Sequence, residues 1–185
     1  MKKTRFVLAL LSLGLCGFAG PVLTLDPASG AIQGSPGDTP GWGFTLSSDP
    51  VSWISVVTTS LFTESNSSLG FYTDYAGLLG GPANGVLAPG APDWVVPFDA
   101  FNQLGLGAFS IDPGAPVGAI DAGLLDLNYE TFSADPNLCG NCATGFFDVF
   151  VPFQVQAVEA APEPAAGWLI GGALLLLGVV RRKRR

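Results

Sequence analysis

The chain is expected to fold as an all-β protein, an antiparallel β-sandwich of the Ig-like or jelly-roll-like kind. Three observations lead there. Short stretches of two-residue alternation recur along the chain, Gly/Pro clusters separate them, and no long helical window survives between residues 20 and 160. Of 185 residues, 25 are Gly and 15 are Pro, enough turn formers for a strand-built domain and too few for a low-complexity polymer.

The strand candidates follow in order. Trp42, Phe44 and Leu46 alternate with Gly43 and Thr45, the pattern of a strand with one face buried. Residues 52–62 (SWISVVTTSLF) are rich in β-branched and aromatic side chains, and a shorter candidate follows Trp94. Leu125, Leu127 and Tyr129 alternate with Asp126, Asn128 and Glu130; Val151, Phe153, Val155 and Ala157 alternate with Pro152, Gln154 and Gln156. Turns are expected at GSPGDTPG from Gly34, LGGPANG from Leu79, LAPGAPD from Leu87, IDPGAPVG from Ile111 and SADPNLCGNC from Ser133. This spacing predicts roughly seven to nine strands in two sheets. No repeat of fixed period occurs, which argues against a solenoid or propeller. The stretch GSPGDTPGWGFTLSSD resembles the opening strand-turn-strand of bacterial Ig-like surface modules.

Charge is partitioned sharply. The chain has 8 Lys plus Arg, 15 Asp plus Glu and no His. Lys2, Lys3 and Arg5 open it, Arg181, Arg182, Lys183, Arg184 and Arg185 close it, and no basic residue lies between. All the carboxylates, from Asp26 to Glu163, therefore occupy a region that can form no side-chain salt bridge. Such a surface cannot displace counterions from phosphate, so nucleic-acid binding is excluded. A Ser-His-Asp triad, a His-ligated zinc, a Schiff-base lysine and an arginine phosphate clamp are excluded for want of residues. A carboxylate pair for glycoside hydrolysis survives as chemistry. An aspartic dyad survives too, although residues 37–41 (GDTPG) match its motif only superficially, because Pro40 follows Asp38-Thr39 where that motif needs glycine, and no second copy exists. The expected protein is not an enzyme.

The two ends read as targeting devices. Residues 1–19 carry a positive start, an apolar run over 6–15 and small residues at Gly17 and Ala19, the layout of a secretory signal peptide cleaved after Ala19. Residues 20–160 form the exported domain. Residues 161–185 hold Pro162, Glu163 and Pro164, an apolar segment over 165–180 and five consecutive basic residues. That segment would make a short transmembrane helix of roughly 24 Å, with the basic tail cytoplasmic and the acidic body outside. Tripeptide, apolar helix and Arg-rich terminus together resemble the PEP-CTERM sorting signal of Gram-negative-type bacteria. The resemblance covers only the last part of the chain. It implies processing near Pro164 by exosortase, a multi-pass membrane enzyme, and delivery to the cell surface or exopolysaccharide matrix. An ordinary C-terminal anchor is the alternative.

Within the exported region, Cys139 and Cys142 are the only cysteines left once the signal is removed, and an oxidising compartment favours a disulfide between them. A redox role would need the motif to open a helix, whereas residues 143–153 read as a strand. No cofactor is expected. Calcium is a candidate without an assigned site, since Asp112, Asp121, Asp135 and Asn137 fall in turn-like stretches. Trp42, Trp53 and Trp94 are candidate glycan-stacking platforms, with core packing the competing role for each. Asn66-Ser67-Ser68 matches the N-glycosylation pattern, with a solvated loop as the alternative.

Together these features lead us to expect an exported structural or adhesive protein of the cell surface or extracellular matrix, with a sorting enzyme, the membrane and exopolysaccharide as partners. The alternative is a tethered carbohydrate-binding module or weak carboxylate-dependent glycosidase.

Overall fold

The computed structural model describes residues 20–79 and 85–160; the expected signal peptide, transmembrane helix and Pro162-Glu163-Pro164 motif lie outside them. Among the described residues run ten strands and one four-residue helical turn. The strands are β1 (Leu23–Asp26), β2 (Ala31–Gly34), β3 (Gly41–Leu46), β4 (Trp53–Phe62), β5 (Gly70–Asp74), β6 (Val86–Leu87), β7 (Trp94–Val96), β8 (Gly107–Ile111), β9 (Ile120–Phe132) and β10 (Ala143–Ala157). The helical turn α1 (Ala76–Leu79) follows β5.

The fold is all-β, with two five-stranded sheets. One has the order β1-β3-β8-β5, with β7 also paired to β3; the other has the order β2-β10-β9-β4-β6. From β1 to β7 every connection changes sheet, so neighbours in the sequence are not neighbours in a sheet. The long β9–β10 hairpin is the exception, pairing Ile120 with Gln156 at one end and Phe132 with Ala143 at the other. One pairing departs from the antiparallel expectation. β2 runs parallel to β10, with Ile32 opposite Val155.

The inward residues of both sheets share one apolar cluster that includes Trp42, Phe44, Phe109, Leu125, Leu127 and Val155. On β9 the two-residue period sends Leu125, Leu127 and Tyr129 inward and leaves Asp126, Asn128 and Glu130 partly exposed. Trp42 of one sheet meets Phe153 of the other edge-on at 6.0 Å between ring centroids, and Tyr72 at 6.2 Å. Its indole N–H donates to the Gly30 carbonyl at 2.8 Å, so the buried polar group is satisfied. Each fully buried side chain of this size contributes roughly 1.5–3 kcal/mol.

β3 is buried on both faces, not on one as its alternation implied. Its outer side carries Gly43, where a Cβ would stand 2.9 Å from the Phe98 nitrogen and the Val96 carbonyl oxygen. Only glycine lets the segment after β7 lie directly on the strand. Gly30, with φ of +69°, turns the chain between β1 and β2.

Trp42 thus belongs to the core and is not a glycan platform, since it is 0% exposed and its one donor is used. Replacing it with Ala should cost about 3–5 kcal/mol. Urea unfolding of the variant, compared with wild type at matched m-values, measures this loss.

Candidate ligand-binding cleft

The remaining two tryptophans come together. Trp53 opens β4 and Trp94 opens β7, and both line one cleft of about 550 Å³ with Val86, Leu87, Ala91 and Asp93. The cleft lies where β6, the edge strand beside β4, faces β7 of the other sheet. Local chemistry fixes both indoles. Before β4, Asp49 Oδ1 accepts the backbone N–H groups of Val51 and Ser52, each at 2.7 Å, which sets the entry of Trp53 into its strand. The Asp49 carbonyl accepts the Gly90 N–H at 3.2 Å and so ties the 88–93 turn to the same corner. Trp94 is pinned by Phe44, edge-on at 4.9 Å, and by pairing with Leu46.

Both tryptophans are only partly buried, and Asp93 at the cleft is exposed. Aromatic walls with one carboxylate can stack on the apolar face of a sugar ring and accept its hydroxyl protons. Nothing in this cleft supplies a nucleophile with a base beside it.

The other sites expected from the sequence resolve individually. Cys139 and Cys142 are disulfide-bonded at the tip of the β9–β10 hairpin, and the strand that follows leaves no helix to activate a thiol. Among the expected calcium turns, Asp112 accepts the Gly114 N–H at 2.6 Å and Asp135 accepts the Asn137 N–H at 2.9 Å, so both cap their own turns. Asp121 is not in a turn at all but inside β9, fully buried. Asn66 Oδ1 accepts the Ser68 hydroxyl at 2.7 Å.

Two features escaped the sequence reading. One is a second cleft of about 460 Å³ whose wall is the stacked pair Tyr129 and Phe147, 5.8 Å apart, with Asp49 and Thr131 beside them. The other is the outward face of β4, β9 and β10, where Phe62 and Phe150 lie 5.8 Å apart and the carboxylates Asp126 and Asp148 stand on neighbouring strands. The alternation at Asp126 was visible; its partners across the sheet were not.

No protein-family model, no curated protein and no solved structure matches this chain.

Asp126 reports the electrostatics of that outer face. Desolvation first, and then the charge of Asp148, raise its pKa above the ordinary 3.8, and its Oδ1 is buried without a partner. The ionised form is therefore disfavoured in the folded state. The Asp126 contribution to stability should therefore be least favourable at neutral pH, and its penalty should fade as pH falls through the raised value toward 3.8, the unfolded reference. Asp126→Asn should unfold at higher temperature than wild type at pH 7, and the gap should close as pH approaches 4. Thermal unfolding of both proteins across pH 4–7 checks the sign.

Proposed function

We propose that this chain is an exported, non-enzymatic protein of the cell surface or extracellular matrix, built as a β-sandwich and sorted through a PEP-CTERM-like tail. Several features support the reading. A positive, apolar N-terminus precedes a body with no basic residue, and Pro162, Glu163 and Pro164 precede an apolar segment and five cations. Pro162 and Pro164 carry no backbone N–H, and a residue that precedes proline favours extended conformations, the form in which a membrane-embedded enzyme can engage a peptide. The sorting enzyme and the membrane are the partners this tail calls for.

The sandwich reading rests on the apolar cluster that both sheets share. In this reading the body makes its matrix contact through the Trp53–Trp94 cleft, and its ligand is a neutral or weakly charged polysaccharide. The observation that carries the contact is that two partly exposed tryptophans, 41 positions apart in the chain (94 minus 53), line a single cleft. A strongly acidic surface disfavours polyanionic ligands, which leaves neutral sugars as the better match.

Two measurements test the proposal. Mass spectrometry of the mature surface form should find the chain ending near Pro164; an intact RRKRR terminus on the main surface species would remove the sorting claim. Retention on an exopolysaccharide column should fall about tenfold in Trp53→Ala and Trp94→Ala if each indole stacks on a sugar ring for ~1–1.5 kcal/mol. Unchanged retention in both variants would remove the cleft from the account.

A further inference from the structure

The most unusual charge in the molecule is Asp121. It lies on the inward side of β9 opposite Val155 of β10, with 0% of its surface exposed. A carboxylate so placed usually meets an arginine or lysine, and none exists between residues 6 and 180. Its Oδ1 accepts the Asn66 N–H at 2.8 Å and the Ser65 hydroxyl at 3.3 Å. Its Oδ2 is buried and has no hydrogen-bond partner. An orphaned carboxylate oxygen in such a place is destabilising unless something positive meets it.

The loop that supplies those two donors also brings a second carboxyl. Glu64 immediately precedes Ser65, whose hydroxyl meets Asp121, so the loop brings the two carboxyls to one place; burial first, and then the Asp121 charge, raise the Glu64 pKa. Unlike Asp121, Glu64 is exposed, so this side of the pair is open to solvent. Further oxygen atoms crowd the same end of β9. The Phe62 and Thr63 carbonyls lie 2.7 and 2.8 Å from where a Cβ on Gly123 would stand, two residues along the same face from Asp121. Thr63 turns the chain there with φ of +56°.

We propose that Asp121 and Glu64 bind a calcium ion, with Asp121 Oδ2 as the buried ligand and Glu64 closing the site from the solvent side. Oxygen donors alone point to a hard cation. Calcium takes six to eight oxygens in flexible geometry, so water can complete the shell on the open side, whereas magnesium demands a near-ideal octahedron. Zinc would want His or Cys; the chain has no His, and Cys139 and Cys142 are bonded to each other. The bound ion would pin the loop after β4 onto β9 and supply the positive charge that this body lacks. The inference stands apart from the sugar cleft and from the sorting tail.

The test is a calorimetric titration of calcium chloride into metal-stripped full-length protein, with thermal unfolding in parallel, for wild type, Glu64→Gln and Asp121→Asn. Wild type should show one saturable site and unfold at higher temperature with calcium. Glu64→Gln should weaken the affinity by about tenfold or more through the lost ligand charge, and Asp121→Asn should abolish binding. Glu64 is exposed, so its variant keeps the test decisive even where Asp121→Asn fails to fold. No saturable heat in wild type would overturn the proposal. So would unchanged affinity in Glu64→Gln, or an equal rise in unfolding temperature in all three proteins, which would mean general screening of carboxylates.

Discussion

A single constraint governs this molecule: between residues 6 and 180 no side chain carries a positive charge, while all 15 carboxylates lie there. No ion pair formed within residues 6–180 can offset them. Several of the described carboxylates are held instead by backbone N–H groups, hydroxyls and amides. Asp74 takes the Thr59 N–H at 3.0 Å, the Thr59 hydroxyl at 2.6 Å and the Gly77 N–H at 2.9 Å. Asp99 takes the N–H groups of Phe101 and Asn102, at 2.9 and 3.1 Å, together with the Asn102 side-chain amide. These bonds favour the ionised form at Asp99, whose pKa is lowered by the Asn102 side chain first. Acidic residues that elsewhere form salt bridges act here as turn caps, which also accounts for how many turns carry Asp.

The energetic burden therefore falls on apolar burial. Trp42, Phe44, Phe109 and the inward residues of β9 and β10 draw the two sheets into one cluster. Polar contacts between sheets are few and specific. The Thr59 hydroxyl of β4 and the Tyr72 hydroxyl of β5 lie 2.7 Å apart, and burial raises the Tyr72 pKa so that the phenol stays neutral. Because the chain changes sheet at every connection from β1 to β7, most stabilising contacts join residues distant in sequence. Folds of that kind close costly loops before they gain their contacts, and they fold slowly.

The same topology explains what could be read from the sequence. β3, β4, β7, β9 and β10 were legible because each carries either clear alternation or a β-branched run. β1, β2, β5, β6 and β8 were missed for different reasons. β6 has two residues, β2 has four, and β8 is buried on both faces so that no alternation shows. The parallel β2–β10 pair has no local signature at all, since register between distant segments is decided by packing. At the candidate cleft, the sequence named three tryptophans with equal standing. What separated Trp42 from Trp53 and Trp94 was position between the sheets, a tertiary property. Asp121 was expected in a turn-like stretch, yet it is paired within a thirteen-residue strand.

On this account a body with no internal cation makes the rest follow: turn caps in place of ion pairs, a core that carries the stability, and a strongly acidic surface. The most direct measurement of that constraint is the thermal midpoint as sodium chloride rises from low to moderate concentration at pH 7. Unscreened repulsion among carboxylates weakens as the Debye length shrinks from ~30 Å at 0.01 M to ~10 Å at 0.1 M. The midpoint should climb steadily over this range. A midpoint that stays level or falls would mean that favourable ion pairs, and not self-repulsion, dominate the folded body, and would contradict the account.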